Sequence, residues 1–163
     1  MVQSLKKVFL FISGFVFGIV ILGFFLWRLM PGMMLTDHVS RYTTVEETCN
    51  QLELAIKANG WESPGVRDMN KAIGKRGFSI SRNVKIVELC KAQYARDVLS
   101  TNPEVSTLMP CAWGVYQGDD GKIHISGMNM GLMAKIFGGN IAHVMGDFVA
   151  AEEHRILKDV IVK

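Results

Sequence analysis

The hydrophobic pattern divides the chain near its start. "VFLFISGFVFGIVILGFFLW", Val8 to Trp27, is a run of 20 residues without a charge. At about 1.5 Å per residue it is roughly 30 Å long, the thickness of a bilayer core. Backbone groups find no water there, so the run is expected to be helical. A cleaved signal peptide has a shorter apolar stretch, typically about 7–15 residues, followed by a small-residue cleavage site. "RLMPGMM" offers no such site. The pattern therefore predicts a cytoplasmic N-terminus over 1–7, a transmembrane anchor over 8–28 and a connector over 29–35 broken at Pro31-Gly32. Lys6 and Lys7 precede the anchor and Arg28 follows it. By the positive-inside rule, this single-pass protein of the cytoplasmic membrane carries everything after Trp27 on the periplasmic, extracytoplasmic side.

From residue 36 to 163 the period of the pattern changes repeatedly. Asp37–Tyr42 reads as a short strand. Thr44 and Glu47 form a capping-box signature. Val45, Cys49, Leu52 and Ile56 then recur at helical spacing, and Asn59-Gly60 stops the helix. A strand touches Pro64-Gly65, a short helix covers Asn70–Ile73, and "VKIVELC" is a β-branched strand ending at Cys90. A helix follows over Ala92–Leu99. "CAWGVYQGDDGKIHIS" is a hairpin turning at Asp120-Gly121. The remainder is helical, with a break or kink at Gly138-Gly139. This order describes an α+β domain with a small antiparallel or mixed sheet and helices packed on one face.

Charge removes one class of function. The formal net charge of +3 is accounted for by Lys6, Lys7 and Arg28; residues 36–163 carry 15 basic and 15 acidic side chains. No basic stripe interleaved with aromatics is present, so nucleic-acid binding is not expected.

The element order, the "GW" after the first long helix, "VKIVELC" and "LMPCAWGVY…DDGKIHIS…N" resemble the domain of unknown function 302 family over about residues 36–160. The resemblance implies a small α+β domain, and homodimers are known in that family. Many members have a Gly-Asn-Pro turn where this chain has Cys90-Lys91, and a Leu-Pro where it has Met109-Pro110 followed by Cys111. The chain resembles a membrane-anchored, cysteine-bearing variant. Its departures fall on the two cysteines, so the family pattern lends them no role. Asn129 stands where members often carry Asn, which makes it, with Pro110, a candidate ligand contact.

The thiols are the main chemical candidates. If the strand ending at Cys90 and the strand beginning at Cys111 are antiparallel neighbours, their ends lie close enough for a disulfide. A structural staple, an unpaired packing pair, a redox or persulfide-carrying pair and a metal site all remain open. No C-x-x-C is present. Cys49 reads as a buried thiol. Met128, Met130 and Met133 are soft ligands suited to Cu(I), or the apolar face of the last helical region. The four histidines are scattered, and His124 reads as solvated. Glu152 and Glu153 read as a charged helix face, which leaves no carboxylate pair for acid–base work. No phosphate loop and no nucleophile elbow is found, and no cofactor is expected.

These features point to a membrane-anchored binding or interaction domain, accessory to a respiratory or sulfur-handling membrane system. The alternatives are a thiol-based oxidoreductase or sulfur carrier using Cys90 and Cys111, and a copper-binding protein. The expected partners are the bilayer, through residues 8–28, and a second copy or another membrane subunit. Gly14 and Gly18 offer a G-x-x-x-G face for close helix approach.

Overall fold

The computed structural model describes residues 2–162, apart from the side chains of 2–9 and Pro31. The charges of Lys6 and Lys7, on which the expected orientation rests, lie outside the described residues. The chain forms two compact units that meet in sequence at Met34 and Leu35.

The first unit is one helix, α1, Val2–Met34. Its segment Leu10–Met30 has a mean hydropathy of 2.5 and is long and apolar enough to cross a membrane. The expected connector over 29–35 is not formed, because α1 runs through Pro31 and Gly32. Proline's fixed φ is itself helical, and the backbone stays helical for three residues beyond it.

The second unit is α+β. Five antiparallel strands lie in the order β1-β5-β4-β3-β2. They are β1 Leu35–Val39, β2 Val66–Asp68, β3 Val84–Leu89, β4 Cys111–Gln117 and β5 Ile123–Met128. β1 begins two residues earlier than the sequence suggests and ends at Val39. Alternation sets the two faces of the sheet. Val87, Leu89, Trp113, Val115, Ile123 and Ile125 are buried on one face. The helices cover that face: α2 Val45–Ala58 packs on β3 and β4 and against the last helix.

The local reasons are those of the sequence. Thr44 caps α2, its hydroxyl accepting from the Glu47 amide at 3.2 Å. Asp68 caps α3, Met69–Gly74, through the Lys71 amide. α4, Ala92–Leu99, keeps its expected bounds. A 3-10 turn over Pro103–Leu108, not anticipated, leads into β4.

The C-terminal region is broken where glycine permits. α5, Met130–Phe137, ends at Gly138, whose φ of +69° is left-handed and favours glycine. A short α6, Gly139–Ile141, leads into a π-helical stretch, Ala142–Val149, and then α7, Ala150–Leu157. The π-stretch packs closely on α5, with Gly146 so near Ala134 that a Cβ there would stand at 3.0 Å. It delivers α7 with Glu152 and Glu153 facing the domain rather than solvent.

Candidate functional site

The two carboxyl groups at the start of α7 lie in opposite environments. Their place on the helix explains why. Val149 and Leu157 are buried, at 2% and 5% exposure. Glu153 falls between them at i+4 spacing, on the buried stripe of the helix.

Glu152 is fully engaged. Its Oε2 accepts from Trp61 Nε1 and from Lys91 Nζ, both at 2.7 Å. Its Oε1 accepts from Tyr94 Oη at 3.0 Å and pairs with Arg155 at 3.1 Å. The Lys91 ammonium also lies 4.7 Å from the Tyr94 ring centroid and 5.8 Å from that of Trp61. Tyr94 stacks on Phe148 and meets Trp61 edge-on. Burial alone would raise the Glu152 carboxyl, but the bonds from Lys91, Trp61 and Tyr94 outweigh it and hold the group below its ordinary value. Glu152 in turn raises Lys91. This cluster ties α7 to α4 and to the chain just after α2 and just after β3.

Glu153 has no such company. It makes no hydrogen bond or ion pair with the described residues. Burial pushes its carboxyl up to about 8. It lines a cavity of about 280 Å³ between β1, the start of α5 and α7. Thr36, His38, Asn129 and His154 supply the other polar groups, and Trp113, Met128, Met130, Ala150 and Leu157 the apolar wall. Glycine 127 makes room for this wall. A Cβ there would stand 2.5 Å from Trp113 Cδ1. Replacing Gly127 with alanine must displace Trp113, a buried core residue. The expected cost is about 1–3 kcal/mol in chemical denaturation, with a shift of the Trp113 indole resonance.

Among the described residues no cysteine lines this cavity, although Cys111 lies near enough to feel the charge of Glu153. The disulfide, one of four readings of Cys90 and Cys111, is not formed, and Cys49, Cys90 and Cys111 are free thiols. The strands are antiparallel neighbours as anticipated, but the register sets Leu89 opposite Cys111. Cys90 lies one residue further, opposite Glu62, with which it exchanges both backbone bonds. Alternation therefore removes Cys90 from the position directly across from Cys111. Cys90, Pro110 and Cys111 line a small apolar space of about 20 Å³ with Trp61, Tyr94 and Met145. That is room for about one water molecule, not a substrate. Burial pushes the Cys111 thiol up to about 12, with Glu153 and Cys90 adding to the effect, and burial pushes Cys49 up to about 11. A nucleophilic cysteine needs the reverse shift.

The remaining candidates divide. Asn129 caps α5 through the Leu132 amide at 3.0 Å and also lines the 280 Å³ cavity. Met128 and Met130 share that cavity. They also join Met133 in an apolar space with Val105, Leu108 and Phe137, where the thioethers are packing groups. No cluster of three or more His, Cys, Asp or Glu suited to a metal occurs among the described residues. His124 is not solvated. It bonds Asp37 at 2.8 Å and Asp120 at 3.1 Å, stacks on Tyr116, and is raised by the two carboxylates.

The two glutamates were missed from sequence because a Glu-Glu pair reads as a solvated face. The available signal was Glu153 on the same helical stripe as Val149 and Leu157.

Comparison with known proteins bears on the fold. A family profile described as "Domain of unknown function DUF302" matches residues 36–162. The structure is similar to that of the uncharacterized conserved protein DUF302 from Bacillus stearothermophilus, with a TM-score of 0.68 and 23% identity over 77% of this chain and 97% of the other. No curated protein matches the chain.

Proposed function

This chain belongs to the DUF302 family, and from that footing we propose that it is a membrane-anchored extracytoplasmic binding domain whose site is the Glu153 cavity. The observation that carries the proposal is a half-buried carboxyl, without a partner among the described residues, that lines a cavity. Burying an ionisable group without a partner is costly, and a fold that serves packing alone would place leucine there. Perturbed titratable groups that line a cavity of ligand size are candidate binding sites. The cavity combines that carboxyl with an aromatic ring, two thioethers and the polar groups of Thr36, His38 and Asn129.

In this reading α1 is the anchor, and the asymmetry of Lys6 and Lys7 against Arg28 exports the domain. The bilayer is the partner of residues 8–28. Gly14 and Gly18, with no other group within 4 Å, are open to close approach by a second copy or another membrane subunit. The accessory role in a respiratory or sulfur-handling system is part of the proposal and rests on the anchor and its compartment. Thiol chemistry at Cys111 receives no support from its raised thiol.

The test is probe mapping by NMR on the detergent-solubilised full chain. Small neutral probes (isopropanol, acetone and phenol) are titrated while the Trp113 indole N–H and the Met128 and Met130 methyl resonances are followed. Saturable shifts at these groups are expected. Probes that leave all three unmoved contradict the assignment of the cavity as a binding site.

A further inference from the structure

We infer that the cavity takes the ammonium head of a small amine, with Glu153 as its counter-ion and Trp113 as its aromatic wall. The inference rests on the reading of the cavity as a binding site and names the ligand class.

Glu153 is an acceptor with no donor among the described residues. The neighbouring cations are committed, since Lys91 and Arg155 both bond Glu152. No fully buried side-chain oxygen or nitrogen lacks a partner. The Glu153 oxygens are therefore not sealed in the core, and the residue lines the cavity. A cation entering there meets a carboxylate, the face or edge of Trp113, and polarizable thioethers from Met128 and Met130. Aromatic rings and carboxylates together favour organic ammonium groups. Ala150 and Leu157 offer apolar contact to a short alkyl tail. An anion would instead be repelled once Glu153 ionises.

The protons balance simply. The protonated carboxyl and the ammonium ion give a carboxylate–ammonium pair and one released proton. Binding should therefore tighten about tenfold per pH unit below pH 8 and level off above it, following the carboxyl that burial raises to about 8. Titratable groups near Glu153 are His38 on β1, His154 on α7 and Cys111 on β4, together with Glu152 and the Lys91 and Arg155 that it holds.

The experiment compares n-butylammonium with its neutral counterpart n-butanol on the full chain in detergent, read at the Trp113 indole N–H from pH 6 to 9. At pH 8.5 the amine should bind at least tenfold more tightly than the alcohol. Glu153→Gln should abolish that preference, while His38→Gln and His154→Gln should leave the pH slope in place. Equal or better binding of butanol overturns the amine inference and leaves the binding cavity standing. So does an amine affinity unchanged by Glu153→Gln, or a slope lost with either histidine. If neither compound moves Trp113 at any pH, the cavity reading falls with the inference.

Discussion

Replacing Glu153 with glutamine stabilises the α+β domain at alkaline pH and leaves it unchanged in acid. The sign follows from linkage. The folded carboxyl is raised to about 8 from an ordinary value of 4.5. The folded state therefore holds a proton that the unfolded chain releases across that window. Stability associated with Glu153 is present below about pH 4.5 and is lost as pH rises through about 8. Glutamine fills the same space and never ionises. At pH 8.5 the variant should be more stable by roughly 3–5 kcal/mol, at 1.36 kcal/mol per pH unit of separation. The measurement is urea unfolding of both proteins from pH 4 to 9. His124 contributes a second pH dependence, since its raised folded value confers stability below 6.5 that is lost above it. That contribution is common to both proteins and cancels in the difference. Coincident curves across the whole range would contradict the burial of Glu153.

Lys91→Met should have the opposite effect, a loss of about 2–4 kcal/mol at pH 7. Lys91 and Glu152 are both largely enclosed, with side-chain exposures of 23% and 15%. Methionine keeps the apolar stem beside Trp61 and Tyr94 but removes the ammonium, and Glu152 remains as a poorly compensated charge. The deficit belongs to a depressed carboxyl. It is present above pH 4.5 and fades as pH falls through the folded value. The double variant Lys91→Met/Glu152→Gln should recover more than half of the loss, because the uncompensated charge is gone. A double variant whose loss is the sum of two separate losses would show that the pair does not act as a unit.

Much of the fold was legible because its signals are local. The capping box at Thr44, the β-branched run at Val84, the Asp120-Gly121 turn and the double glycine at Gly138 each act over a few residues, and each marks an observed element or boundary. Pro31 misled because its fixed φ is compatible with helix, and α1 continues through it to Met34. The disulfide depended on a register one residue different from the one formed, which no local signal sets. The site was less legible for the same reason. Trp61, Lys91, Tyr94 and Glu152 meet across separations of 58 to 91 residues. Only tertiary packing distinguishes such a glutamate from a solvated one. Glu153 did leave a trace, as the one acidic position between Val149 and Leu157 on the buried stripe, but the adjacent Glu152 and His154 made the stripe read as polar.

Glu153 is a half-buried acid that lines the cavity without a partner among the described residues. The most direct test is a 13C NMR titration of the glutamate side-chain carboxyls in the folded full chain, with Glu153 assigned by its absence in Glu153→Gln. The account predicts one carboxyl with a midpoint near 8 that disappears in the variant. A Glu153 midpoint near 4.5 would mean a solvated carboxylate, and the binding cavity would lose its basis.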